Sequence, residues 1–206
     1  MGRYRGPRLK IIKRLGTALP GLMCAEQKST TNQYSTGQHN SNKRGKVSEY
    51  KLHLQEKQKL RFHYGVQEKQ LCNYSKIAFK SKENTGLLLL NILEKRIDNI
   101  IFRAGFFRTI RAARQAISHG HITINNKKIN IPSYSVQLKD SIQFNVKSPW
   151  KKQIEAIKKS AHNIPCPTYI DIDGKTKTIK INNNFTKKDI PININEQLVV
   201  EYYSGR

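Results

Sequence analysis

The chain has 206 residues, enough for one or two domains with cores of their own. Lys and Arg number 38 against 14 Asp and Glu, and the resulting +24 charge is more easily tolerated when a polyanion neutralises it. The longest apolar run, Leu87-Leu88-Leu89-Leu90, falls far short of the roughly 18 residues of a spanning helix, so nucleic acid is preferred over membrane as that polyanion.

Residues 1–22 mix cations with Gly6, Pro7, Gly16, Pro20 and Gly21, too broken for one long helix. The first fourteen positions carry Arg3, Arg5, Arg8, Lys10, Lys13 and Arg14 and no acid. Residues 23–45 are polar and read as an extended segment ordered by RNA, or as a loop. Ser48 is the expected cap of a helix running to about Tyr64, with Gly65 just past its end. A second helix is expected over 67–80, with Leu71, Tyr74 and Ala78 on one face. Thr85 is the expected cap of a third, from Gly86 to about Ala104, in which Leu89, Leu93, Ile97, Ile100 and Ile101 form one apolar stripe. Gly105 ends it, and Thr109 opens a fourth helix over 110–119 with Ile110, Ala113 and Ile117 inward.

The period then changes to two. Ile122 and Ile124 alternate with polar residues, Asn125-Asn126 supplies left-handed turn residues, and Ile129 and Ile131 continue the face. Another strand is expected over 141–146. Residues 147–167 are basic and broken by proline, and no role is assigned to them. Tyr169–Ile172 and Thr178–Ile181 alternate on either side of Asp173-Gly174, a turn signal, and Leu198-Val199-Val200 reads as a short buried strand. The expected class is α+β, with a compact core module over about 94–146.

The three cysteines, Cys24, Cys72 and Cys166, are odd in number and far apart, neither a disulfide framework nor a zinc ligand set. No Gly-rich phosphate loop, nucleophile elbow or zinc-spaced histidine pair occurs. His119 and His121, at a helix–strand join, suit a structural or RNA-facing role better than metal binding. Arg96 and Arg103 are seven apart, and Arg111 and Arg114 three apart, so each pair is expected to share a helix face. Together they would form a cationic plate, guanidinium matching phosphate bidentately where ammonium acts as a point charge. The acids Asp98 and Glu94 are expected to orient neighbouring arginines.

Here a resemblance becomes specific. Arg96-Ile-Asp-Asn-Ile-Ile-Phe-Arg103, Ala112-Ala-Arg-Gln115, His119-Gly-His-Ile122 and Ile131-Pro-Ser-Tyr134 resemble the RNA-binding module of the ribosomal protein S-four family. The flanks Arg3-Tyr-Arg-Gly-Pro-Arg8, Leu15-Gly16 and Leu19-Pro-Gly-Leu22 are similar to the cyanobacterial and plastid members. Glu56-Lys-Gln-Lys-Leu-Arg61 and Glu68-Lys-Gln-Leu71 resemble the family's helical domain before the module, and the tail Asn195–Ser204 its C-terminus. The resemblance covers nearly the whole chain in order.

It implies a non-enzymatic constituent of the small ribosomal subunit with no cofactor. The implied architecture is an extended basic segment over 1–47, then a helical domain over 48–85 completed by a returning C-terminus over 168–206. An RNA-binding domain over 86–167 would be inserted between the two parts. The implied partners are ribosomal RNA at a junction in its 5′ domain, bound early in assembly, ribosomal protein S-five, and messenger RNA where it enters the subunit. That region is tied to decoding accuracy. Candidate RNA contacts are Arg3, Arg5, Arg8, Lys10, Lys13, Arg14, Lys57, Lys59, Arg61, Arg96, Arg103, Arg111, Arg114, His119 and His121. Some members hold zinc through an N-terminal cysteine cluster, of which this chain has only Cys24, so no metal is expected. Ser35–Asn40 replaces the usual Pro-Pro-Gly-Gln-His-Gly, and Asn125-Asn126 the usual Asn-Gly. A bias to Ile, Asn and Lys fits an AT-rich genome. With no transit segment in evidence, synthesis inside a plastid and residence in the stromal small subunit are the expectation. A free-standing RNA chaperone, or a fragment of an RNA-modifying enzyme carrying the same module, is the alternative.

Overall fold

A computed structural model describes residues 4–22, 47–145, 166–173, 178–182 and 185–205. Arg3, Cys24, the loop 35–40, the segment 23–45 and nearly all of 147–167 lie outside the described residues. The chain divides into two compact units, Met1–Leu90 with Pro191–Arg206, and Asn91–Ile190.

The first unit is helical. Helix α1 (Arg8–Leu15) buries none of its residues and carries Lys13 and Arg14 in its last turn. Helix α2 (Glu49–His63) starts where the Ser48 side chain accepts from the Lys51 amide, and Gly65, with φ 59°, turns the chain away beyond its end. Helix α3 (Glu68–Phe79) buries Leu71, Ser75 and Ala78. The next helix, α4 (Thr85–Glu94), is capped one residue earlier than expected. The Asn84 Oδ1 accepts from the amides of Gly86 at 3.1 Å and Leu87 at 3.3 Å, leaving Thr85 inside the helix.

The C-terminal segment is helical, against the expectation of a short strand. Asn195 caps α7 (Glu196–Ser204), and Val199, Tyr202 and Tyr203 are its buried residues. Positions i, i+3 and i+4 make one helical face, which three apolar residues in a row at 198–200 conceal. That face packs on α2 and α3: the Tyr202 ring lies 6.0 Å from Tyr50, and the Tyr203 hydroxyl donates to Glu68 at 3.0 Å.

The second unit is an α+β module. The long helix expected from Gly86 to Ala104 is two, because Arg96 is extended (φ −68°, ψ 134°) and α5 (Ile97–Arg103) starts after it. The segment 131–136 supplies the competing backbone partners. Ile97 N donates to the Tyr134 carbonyl at 3.0 Å, Val136 N donates to Lys95 at 2.9 Å, and Arg96 bridges Ser135. Bonds to this segment thus replace helical ones, and Asp98 N likewise donates to the Pro132 carbonyl at 3.4 Å. The apolar stripe survives the break, with Leu89, Leu93, Ile97, Ile100 and Ile101 all at most 2 % exposed.

Helix α6 (Ile110–Ser118) begins at Thr109, whose hydroxyl accepts from Ala112 N, and it packs on α5. The strands are β1 (Ile122–Ile124), β2 (Lys127–Ile129), β3 (Ser141–Phe144), β4 (Ile170–Ile172) and β5 (Ile179–Ile181). They pair antiparallel throughout in the order β2-β1-β3-β5-β4. Asn125 and Asn126 turn β1 into β2 with φ of 48° and 65°, so asparagine holds the left-handed geometry usually given to glycine. The core gathers Ile100, Phe102, Phe106, Ile117, Ile122, Ile142 and Ile179 between helices and sheet. The expected return to the helical domain at residue 168 is corrected by this register. Ile142 pairs with Ile179 and Ser141 with Lys180, which keeps β4 and β5 in the second unit, and the chain returns at Pro191.

Candidate nucleic-acid interface

In the second unit the cations follow the polar side of α6. Ile110, Ala113, Ala116 and Ile117 fill its buried side, so Arg111, Arg114, Gln115 and Ser118, at i, i+3, i+4 and i+7, make the opposite one. At the end of that helix the chain passes through His119, Gly120 and His121 into β1. Gly120 has φ +72°, and a Cβ built on it would lie 1.9 Å from Cε of Lys128. The lysine side chain crosses the glycine that separates His119 from His121, whose rings are 6.0 Å apart. Burial, His119 and Lys128 all push the His121 imidazole below its ordinary range, which favours its neutral form near pH 7. Lys128 sits opposite Thr123 in the hairpin, and Lys127, Lys139 and Lys180 are exposed on the same unit.

Two of the expected arginines meet at one buried carboxylate. Asp98 is 1 % exposed. It accepts from Arg96 at both oxygens, Nε to Oδ1 at 3.1 Å and Nη2 to Oδ2 at 2.8 Å. Arg114 Nε donates to Oδ2 at 2.6 Å, and the Asn99 amide donates to Oδ1 at 2.9 Å. Burial alone would raise this carboxyl; the two guanidiniums outweigh it and hold the group below the ordinary carboxylate range. One negative and two positive charges leave the cluster at +1. The Arg114 side chain is 17 % exposed and Arg96 only 5 %.

The four-arginine plate is corrected accordingly. Its geometry assumed one unbroken helix from Arg96 to Arg103, whereas Arg96 lies outside α5 and is buried. Arg103, 2 % exposed, points into the unit and donates through Nη2 to the Asp189 carbonyl. Nearby, Glu94 accepts from Asn99 Nδ2 at 2.5 Å and from the Tyr169 hydroxyl at 2.9 Å. Burial and the Glu94 charge push the Tyr169 phenol far above its usual range.

In the first unit, Arg5, Arg8, Lys10 and Arg14 are exposed and Lys13 half-buried, and Tyr4 packs edge-on against Phe62 at 5.5 Å. The three cations expected from α2 are instead engaged within the unit. Lys57 is 3 % exposed, with Nζ 2.9 Å from Glu68 and 4.6 Å from the Tyr202 ring. Lys59 pairs with Glu56 at 2.5 Å, and Arg61 donates to Gln58 at 3.2 Å. Sequence reasoning passed over Lys127 and Lys128, although two lysines directly after a hairpin turn are the usual mark of an exposed edge strand. Among the described residues no group of three or more His, Cys, Asp or Glu could hold a metal, and no helix is long and apolar enough to cross a membrane.

Residues 3–94 match the family described as Ribosomal protein S4/S9 N-terminal domain, and residues 95–142 match the S4 domain. The chain is 46 % identical over 205 residues to small ribosomal subunit protein uS4c of Oltmannsiellopsis viridis, covering 99 % of this chain and 100 % of the relative. It is 45 % identical over 206 residues to the protein of the same name from Gracilaria tenuistipitata var. liui, and 43 % to uS4 of Synechocystis, each over the full length of both chains. Both domain types occur in order and the likeness runs end to end: the chain belongs to the uS4 family of small-subunit ribosomal proteins, structural constituents of the ribosome and not enzymes.

Proposed function

We propose that the chain binds small-subunit ribosomal RNA at a helical junction of the 5′ domain, early in assembly, in the plastid ribosome. The observation that carries the reading is the run Arg111, Arg114, His119, His121 and Lys128 from the polar side of α6 to the β1–β2 hairpin. The exposed Arg5, Arg8, Lys10 and Arg14 at the start of the chain supply a second group of contacts, joined by Lys13 and, in the undescribed N-terminus, Arg3. These cations position the protein on phosphates, and the shape of the junction supplies specificity. Contact with ribosomal protein S-five and with messenger RNA where it enters belongs to the same reading. The plastid assignment is supported by relatives named uS4c and by the AT-type composition.

The test is titration of the purified protein onto a 5′-domain ribosomal RNA fragment, with salt varied and random RNA as competitor. Log K is expected to fall by roughly 0.7–0.9 per phosphate contact per decade of salt while binding survives the competitor. Equal displacement by random RNA would reduce the interaction to charge alone and favour an RNA chaperone.

A further inference from the structure

Asp98 is an acid buried beneath a surface proposed to bind a polyanion, and its surroundings account for that apparent conflict. Arg96 grips it bidentately from the interior, and the arginine's backbone is fixed by the bridge to Ser135 and by Ile97 N donating to Tyr134. Arg114 reaches the same Oδ2 from α6 through Nε. A guanidinium carries five N–H donors in one plane, so fixing it at Nε fixes the direction of the whole group. Were Asp98 paired with Arg114 alone, the couple would carry no net charge to attract phosphate. Arg96 restores the missing charge.

We propose that Arg96 and Asp98 are positioning residues for RNA recognition: the buried pair holds the Arg114 guanidinium in one orientation toward phosphate without cancelling its charge. The inference rests on the reading that α6 meets RNA, and it reassigns Arg96 from contact to support. An oriented guanidinium loses less freedom on binding than a mobile one and keeps its geometry for a bidentate phosphate contact.

The experiment compares Asp98→Asn, Arg114→Gln and the double variant in binding the 5′-domain RNA fragment, with circular dichroism melts to confirm folding. Charge by itself predicts that removing a carboxylate from an RNA-binding surface tightens binding. Positioning predicts the opposite sign: Asp98→Asn weakens binding about fivefold or more, and in the Arg114→Gln background the same change costs less than about twofold. Tighter or unchanged binding by Asp98→Asn, or an equal loss in both backgrounds, overturns the positioning role while leaving α6 as an RNA surface. An Arg114→Gln variant with unaltered affinity and salt slope overturns both. Should Asp98→Asn not fold, Arg114→Lys decides. It keeps the charge but lacks the planar fork, so the salt slope should persist while affinity falls; wild-type affinity would show that orientation is immaterial.

Discussion

Lys57 gives the sharpest separation between what a basic residue suggests and what its surroundings make of it. The Lys57→Met variant keeps the aliphatic stem and removes only the ammonium. In the native protein that ammonium lies 2.9 Å from Glu68 Oε1, 3.4 Å from the Tyr202 hydroxyl and 4.6 Å from the Tyr202 ring. A hydrogen bond to a charged group contributes about 1.5–3 kcal/mol, and a cation–π contact about 0.5–1 kcal/mol. Two features reduce the net cost. Methionine fills the site with apolar volume, and Glu68, at 38 % side-chain exposure, can turn to water and keeps the Tyr203 hydroxyl. The expected loss is therefore about 1–2 kcal/mol, short of the ~3–5 kcal/mol for stranding a fully buried charge. Urea denaturation measures it, and the RNA titration in parallel should keep the wild-type salt slope, since the ammonium is engaged by Glu68 and Tyr202. A loss below about 0.5 kcal/mol, or a slope reduced by roughly 0.7–0.9, would refute the assignment of Lys57 to the interior of the α2–α7 pair.

Other substitutions and conditions probe the second unit. Asn126→Val places a β-branched residue at φ 65° and should destabilise by about 1–2 kcal/mol, whereas Asn126→Gly should not; thermal melts of the two variants distinguish them. For Asp98 the folded group titrates below its ordinary 3.8, so the unfolded chain binds its proton first as pH falls. Its contribution is therefore fully present above about 3.8 and lost progressively below it, and Asp98→Asn should flatten that part of the acid-unfolding profile. An equally steep profile in the variant would assign the acid sensitivity to other carboxylates.

Several elements were readable from local chemistry. Ser48 and Thr109 mark helix starts because a side-chain oxygen in the right place satisfies an amide that the helix cannot. Asn125-Asn126 marks a hairpin because asparagine tolerates left-handed backbone. The stripe from Leu89 to Ile101 announces burial whatever interrupts it. Asp98 as a partner of Arg96, two residues before it, was legible too, whereas its second arginine, Arg114, comes from the next helix.

Tertiary structure decided the rest, where a distant partner outcompetes a local one. Arg96 leaves the helix because segment 131–136 offers its neighbours backbone bonds from some forty residues away, a competition no window of sequence contains. β4 and β5 join the second unit because Ile179 finds Ile142 across an intervening stretch of chain. The C-terminal helix takes its inward side from α2 and α3, so three apolar residues in a row did not reveal it. Above all, the sequence determines how many cations there are but not which face water or RNA. An arginine buried against a carbonyl, like Arg103, and one at the surface, like Arg8, carry the same charge, and only the packing around each decides whether a phosphate can reach it.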